Sequence, residues 1–244
     1  MKPKVSIIIP CYNSEKWIEQ CVISALTQDY ENVEVLCIDN ESTDNSVTIV
    51  EEIKKNYPDL ITGSASNIYP HCWDEARAVG LRIMTGDYVL TMGSDDWIDS
   101  SFIYRCMKYI LSAPDQILAL QSPIKGMRDH GEIYTGEVKH AYKSIAELKK
   151  ALLERCPVNT PTVIFNRKLY DDGFLKTSPE IYGGAADYDL YCRLADNDIF
   201  IYPAFEWLGF YYRWHSEQAT WQVHEEAKNY DKMIQNYWKD KWKI

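Results

Sequence analysis

The feature that most constrains this chain is a strand-like run that halts on a pair of acids. Residues 88–92 read Tyr-Val-Leu-Thr-Met, apolar and β-prone, and the chain then delivers Asp95 and Asp96 side by side. An open α/β sheet collects its ligands in the crevice beyond the carboxyl ends of its strands. The run therefore predicts a buried strand and marks where a site would lie. Adjacent carboxylates repel and are costly to desolvate, which makes a cation their natural partner. Oxygen ligands that leave most of the coordination sphere free suit Mg²⁺ or Mn²⁺ held jointly with a substrate's phosphates. Read alone, the pair equally fits an acidic surface turn capping a helix that begins near Ser100.

Around this run the first hundred residues alternate strand and helix signals. Residues 5–9 are a continuous apolar stretch ended by Pro10, as a strand buried on both faces requires. Ser14 is placed to cap a helix over 14–28, with Trp17, Ile18, Cys21, Val22 and Ala25 along one face. A strand over 33–38 follows, then a helix opened by Ser42 or Thr43, in which Val47, Val50, Ile53 and Tyr57 recur at helical spacing before Pro58. A short strand at 60–62 and a helix over 73–84 complete the series. Repeated β-α-β units predict an open, mainly parallel sheet with helices on both faces. The second half is mixed. It predicts strands at 117–122 and 133–138 around a polar turn at 126–131, then a helix over 144–155 and a strand at 162–165. A helix over 185–195, strands at 199–202 and 207–212 and a helical tail from Glu217 follow. Without repeats, low-complexity segments or a Ser/Gly linker, one continuous domain over 1–244 is expected.

A hydrophobic fraction of 46% supports a sizeable core. The net charge of −10 argues against a nucleic-acid surface and suits a protein that needs a cation before it meets a phosphate. Seven scattered cysteines without a Cys-x-x-Cys argue against a disulfide framework and a thiolate zinc site. The chain runs from Met1-Lys2-Pro3-Lys4 into the first strand, so no signal peptide is expected. No apolar stretch nears the ~20 residues of a membrane span. The expected location is the cytoplasm, with peripheral contact at a membrane left open. The aromatic tail (Trp221, Tyr230, Tyr237, Trp238 and Trp242 with Lys239, Lys241 and Lys243) fits a membrane interface, but core packing or a homodimer contact is preferred.

Three polar clusters end strands on one predicted edge: Pro10-Cys11-Tyr12-Asn13, Asp39-Asn40-Glu41-Ser42-Thr43-Asp44 and Ser94-Asp95-Asp96. A nucleotide laid across them would place its base near Asp39 and its diphosphate against a metal on Asp95 and Asp96. Residues 39–44 also read as a plain capping turn. Further on, Gly183-Gly184 precedes Asp187 in the first turn of a predicted helix, where free amides and the helix dipole favour a carboxylate. Asp189 is expected to pair with Arg193 at i+4. Arg213 and His215 share one strand face. His71, His130, His140 and His224 have no metal spacing.

Residues 5–13, 39–44 and Gly86-Asp87-Tyr88 leading to Ser94-Asp95-Asp96 resemble, in sequence and spacing, the inverting family 2 glycosyltransferases of GT-A fold. The resemblance covers at least residues 4–113. It implies a half at 1–113 that binds a nucleotide-sugar donor and a half at 114–244 that binds the acceptor. Asp39 would recognise the base, with Pro10, Tyr12, Asn13, Asn40 and Ser94 around the donor, while Asp95 and Asp96 hold the metal. Two departures stand out. Gly93 replaces a usual aspartate, and Ala76-Arg77-Ala78 keeps only the arginine of an Ala-Arg-Asn triplet, leaving Arg77 as a phosphate-binding cation or an ordinary exposed helix arginine. The segment 183–194 looks like the family's Glu-Asp motif with Ala186 in place of the glutamate, which makes Asp187 the general base. Residues 212–216 are similar to a late segment whose histidine, here His215, completes the metal site or contacts the diphosphate, with Arg213 also turned to the phosphates.

The expected protein is thus a metal-dependent inverting glycosyltransferase, using Mn²⁺ or Mg²⁺ and a UDP-sugar, with a carbohydrate or lipid-linked acceptor. A nucleotidyltransferase would carry a Gly-rich basic loop after strand one, which Pro10 to Lys16 lacks. A catalytically inactive nucleotide-sugar-binding scaffold is the alternative that Gly93, Ala78 and Ala186 would favour.

Overall fold

The computed structural model describes residues 2–69, 72–218 and 228–243. Strand β1 (Val5–Cys11) is buried along its whole length. Val5, Ile7, Ile9 and Cys11 face one half of the core and Ile8 the other, because successive strand side chains alternate. The same alternation in β2 (Val33–Asp39) and β4 (Tyr88–Thr91) sends Val35, Cys37, Tyr88 and Leu90 to the first half and Leu36, Ile38 and Val89 to the second. Helices α1 (Ile18–Leu26), α2 (Ser46–Asn56) and α4 (Phe102–Ile110) cover the first face. Helices α3 (Asp74–Ile83), α5 (Ile145–Leu152), α8 (Ala186–Asp196) and α9 (Tyr230–Trp242) cover the second.

The larger sheet has seven strands. Besides β1, β2 and β4 it contains β3 (Ile61–Ser64), β6 (Ala119–Gln121), β9 (Ile164–Asn166) and β10 (Ile201–Pro203), in the order β10-β6-β9-β4-β1-β2-β3. Every pairing is parallel except those of β9, which runs antiparallel between β4 and β6. A smaller sheet has the order β5-β11-β7-β8, from β5 (Trp97–Ile98), β7 (Ile124–Arg128), β8 (Ile133–Val138) and β11 (Phe210–Trp214). The expected α/β class, with a mixed C-terminal region, is what forms. Two short helices, α6 (Lys168–Asp171) and α7 (Pro179–Tyr182), lie between β9 and α8.

Several sequence expectations are corrected. The polar stretch 126–131 is not all turn: β7 runs through Arg128 because it finds parallel pairing with β11 and antiparallel pairing with β8. The turn shrinks to the residues closed by Arg128 N donating to Glu132 O at 2.7 Å. Helix α1 starts at Ile18 rather than at Ser14, whose hydroxyl is engaged with Ser94 and the Tyr12 carbonyl instead of capping. Helix α2 starts at Ser46, because residues 42–45 are tied to the loop after β1, and Val47 is exposed rather than in the apolar stripe. Ser144 does cap α5, accepting from Glu147 N. In the tail, Trp238 is buried and Ile234 beside it fills the core, while Tyr237 is exposed. Trp221, His71 and His224 lie outside the described residues. Among the described residues no helix is long and apolar enough to cross a membrane.

Candidate active site

Strands β1, β2 and β4 end together, the loops after β1 and β2 forming one cluster and the loop after β4 a second. The first two loops are laced to each other. Asn13 Oδ1 accepts from Thr43 N at 2.8 Å, Ser42 Oγ accepts from Asn13 N at 3.0 Å, and Asp44 Oδ2 accepts from Glu15 N at 3.0 Å. Asn13 and Glu41 sit at φ of 47° and 64°, a region rare for side-chain-bearing residues and enriched at functional loops. Asp39 closes its own loop, accepting from Ser42 N at 3.2–3.3 Å. These long bonds leave carboxylate lone pairs uncommitted. Asn40 is 2% exposed, and its Oδ1 meets no partner among the described residues. Tyr12 is half exposed above this loop and Pro10 is buried within β1.

The second cluster is strung between the two sheets, since β4 belongs to the large one and β5, directly after the acids, to the small one. Asp96 is 1% exposed and accepts from Arg213 N at 2.9 Å. Burial, followed by the charge of Asp95, pushes its carboxyl well above the ordinary carboxylate range. Asp95 Oδ2 shares a 2.9 Å hydrogen bond with His215 Nε2. The His215 ring lies 3.9 Å from the Trp17 ring, whose indole N–H is fixed by Asp129 Oδ1. Arg213 is brought to this cluster as expected, yet its guanidinium is taken up by the Asp95, Arg128 and Asp129 carbonyls and by Gln20 Oε1. It braces the acidic loop from beneath. Ser94 likewise spends its hydroxyl on Ser14 Oγ at 2.6 Å.

A divalent ion fits here on one observation. A Cβ placed on Gly93 would lie 2.5 Å from Asp95 Oδ1 and 3.1 Å from Asp96 Oδ2, so both carboxylates converge on the space that the missing side chain leaves. Among the described residues no three His, Cys, Asp or Glu side chains form a ready-made cage. One or two carboxylates completed by substrate phosphates is the mode Mg²⁺ ordinarily adopts.

The third cluster surrounds Asp187 in the first turn of α8. It lines a small, partly open cavity with Arg77, Thr91, Thr160 and Tyr191. Arg77 is neither exposed nor in the metal cluster: it is 6% exposed and donates to the Leu175 carbonyl at 2.9 Å. Asp187 Oδ1 accepts from Tyr188 N at 2.8 Å and Oδ2 from the Thr160 hydroxyl at 2.7 Å. The helix terminus was expected to favour the charged form. Burial outweighs it and, with Asp74 and Asp231 nearby, raises the carboxyl from 3.8 to about 6. Asp189 pairs with Arg193 Nε at 2.9 Å as expected, and its other oxygen holds the Trp238 indole N–H at 2.9 Å. Thr160, Trp17 Nε1 and Asp129 were not singled out for the site. No local motif marks them, because their roles come from contacts more than 25 residues away in sequence.

Comparison with known proteins gives the family and the fold. The family model described as glycosyl transferase family 2 matches residues 6–174. The chain is 32% identical over 130 residues to a poly(ribitol-phosphate) beta-glucosyltransferase of Bacillus spizizenii, covering 52% of this chain and 20% of that protein. It is 28% identical over 199 residues to an uncharacterized glycosyltransferase of Haemophilus influenzae, covering 79% and 60%. It thus spans less than two thirds of the length of either relative. S. aureus TarS 1–349 in complex with UDP-GlcNAc shares the fold, with a TM-score of 0.71 at 22% identity over 92% of this chain and 62% of that one. A Pyrobaculum calidifontis mannosyltransferase in complex with GDP-Man and Mn²⁺ gives 0.64 at 17% identity over 97% and 69%. Matched by its family model over more than two thirds of its length, the chain belongs to glycosyltransferase family 2.

Proposed function

We propose that this chain is a metal-dependent, inverting glycosyltransferase that moves a sugar from a nucleotide sugar, most simply a UDP-sugar, to a hydroxyl of a carbohydrate or lipid-linked acceptor. The observation that carries the reading is the pairing of two unlike acidic sites at one sheet edge: convergent carboxylates at Asp95 and Asp96, and a half-buried carboxyl with a pKa of about 6 at Asp187. Further support comes from fold relatives that bind UDP-GlcNAc in one case and GDP-Man with Mn²⁺ in another. On this reading residues 1–113 form the donor half and 114–244 the acceptor half.

Inversion needs a single displacement at the anomeric carbon. The acceptor oxygen forms the new bond as the bond to the diphosphate breaks, and the diphosphate leaves with the electron pair. Asp187 takes the acceptor's proton, and a pKa near 6 keeps it unprotonated at neutral pH yet basic enough to act. Asp95 and Asp96 would hold a divalent ion against the diphosphate, and that ion would supply charge stabilisation to the leaving group. His215 orients Asp95, Arg213 fixes the loop that carries both acids, and Asp39 with Asn40 receives the base. No nucleophile for a covalent intermediate is required. The testing experiment is calorimetry with UDP, with and without Mn²⁺, followed by donor hydrolysis. Much tighter binding with the ion and metal-dependent release of UDP are expected. Equal affinity in EDTA, or no turnover with any of a panel of nucleotide sugars, would overturn the reading.

A further inference from the structure

We infer that Thr160 is a positioning residue for the candidate base: its hydroxyl fixes the rotamer of Asp187 and holds one carboxylate oxygen in its charged form. The inference rests on the proposed role of Asp187 and extends it to a residue that no sequence motif marks.

Thr160 is held with unusual firmness for a loop residue. It opens a short 3₁₀ turn, Thr160–Thr162, stiffened by Pro161 and leading straight into β9. The preceding Asn159 is clamped on three sides. Its N–H donates to Gln121 Oε1 at 2.9 Å, and its side-chain amide donates to the Ser122 and Val138 carbonyls at 2.9 and 3.1 Å. Thr162 closes the turn from behind, its hydroxyl donating to the Asn159 carbonyl at 2.8 Å and accepting from Ser122 N at 3.0 Å. The Thr160 backbone is therefore part of the sheet's rigid edge, and its hydroxyl is aimed at Asp187 Oδ2 at 2.7 Å. Tyr188 N holds the other oxygen. A carboxylate gripped at both ends cannot swing to a second rotamer, which is what a base serving one acceptor hydroxyl needs.

The hydroxyl, together with the Tyr188 N–H, also opposes the surroundings that raise the carboxyl. Burial raises the Asp187 carboxyl, and Asp74 from α3 and Asp231 from α9 raise it further. Arg77 from α3 and Tyr191 from α8 line the same cavity, and Cys156 lies near on the loop before β9. A hydrogen bond to the ionised form works the other way. Losing the hydroxyl should move the acid limb of transfer to higher pH by about one unit, the scale of one charge-assisted hydrogen bond.

The test compares wild type, Thr160→Val, Thr160→Ser and Asp187→Asn for transfer across pH 5–9, with UDP binding in Mn²⁺ as a check on the donor site. Wild type should show an acid limb near 6, set by Asp187. Thr160→Val should shift that limb upward, lose about fivefold at pH 6 and recover most of its rate by about pH 8, with UDP affinity unchanged. Thr160→Ser, which keeps the hydroxyl, should restore the limb and serves if the valine variant does not fold. A valine limb that stays in place, a loss uniform across pH, or a serine variant as impaired as valine would overturn the inference while leaving Asp187 as base. Undiminished transfer by Asp187→Asn would overturn the base assignment itself.

Discussion

Asp187→Asn should do two things at once: stop sugar transfer and stabilise the fold at neutral pH. The carboxyl rises from 3.8 to about 6 on folding because ionising it inside the third cluster is unfavourable. A raised folded-state pKa means stability that is complete below 3.8 and is lost as pH climbs through about 6. At pH 7 the ionised side chain thus costs up to about 3 kcal/mol, at roughly 1.4 kcal/mol for each tenfold. Asparagine keeps the shape, can still accept from Thr160, and removes that cost. For a chain of this size 1 kcal/mol shifts the melting temperature by about 2–4 °C, so a gain of several degrees at pH 7 should fade toward zero near pH 4. Transfer should fall by about two to four orders of magnitude, the ordinary worth of a general base, with UDP and Mn²⁺ binding retained. Asp189→Asn supplies the opposite sign. It strips a buried acceptor from Arg193 and Trp238 and should destabilise at pH 7 while sparing most activity. A thermal scan across pH 4–8 with matched transfer assays reads both. A destabilised Asp187→Asn with a pH-independent gap would refute the desolvation argument, and a dead Asp189→Asn beside an active Asp187→Asn would mean the base is misassigned.

Three further outcomes are expected. Asp39→Ala should raise the donor KM with a smaller change in kcat, the mark of lost uniform binding, and an unchanged KM in steady-state assays would reduce Asp39 to a loop-closing residue. Asp96→Asn, which preserves the buried shape, should make UDP affinity nearly the same in Mn²⁺ and in EDTA by calorimetry, and retained metal dependence would exclude its proposed role. Glu34 accepts from Ser6, Thr85, Gly86 and Lys4 at the far end of β2, and these bonds overcome its burial to bring its carboxyl from 4.5 down to about 2. A lowered folded-state pKa gives stability present above 4.5 and lost as pH falls toward 2. Glu34→Gln should therefore cost roughly 3 kcal/mol in urea titrations at pH 7, with the gap to wild type closing in acid.

The parts of this protein that sequence made legible are those whose physics is local. The apolar run at 5–9, the alternation of strands and helices to residue 113 and the acids just past β4 are set by neighbours in the chain. The same holds for Ser144 as a cap and for the Asp189–Arg193 pair, one helical turn apart. What escaped is what only tertiary pairing decides. Residues 126–128 look like a polar turn until β11 and β8 supply partners. Arg213 looks free to face a phosphate until four acceptors from three elements surround it. Asp187 looks like a stabilised helix-terminal carboxylate until the cavity forms around it. Gly93 reads as a missing ligand in sequence, whereas in space its bare Cα is the room into which two carboxylates turn.

The antiparallel strand β9 carries a consequence for how such a protein can change. It enters the large sheet through three residue pairs with β4, Tyr88 with Asn166, Val89 with Phe165 and Leu90 with Ile164. That short ladder fixes where Thr160 and its partner Asp187 stand relative to the acids that follow β4. Loops in residues 114–159 that carry none of the Asn159 contacts can lengthen, shorten or be exchanged without disturbing it, so on the proposed reading a new acceptor pocket can be grafted while the reacting distance stays as it was. A slip of one pair would be different in kind. It would carry Thr160 about 3.3 Å along the strand and turn it to the opposite face. Diversity in what receives the sugar is therefore cheap in this architecture, and the spacing between the two chemistries is its least negotiable dimension.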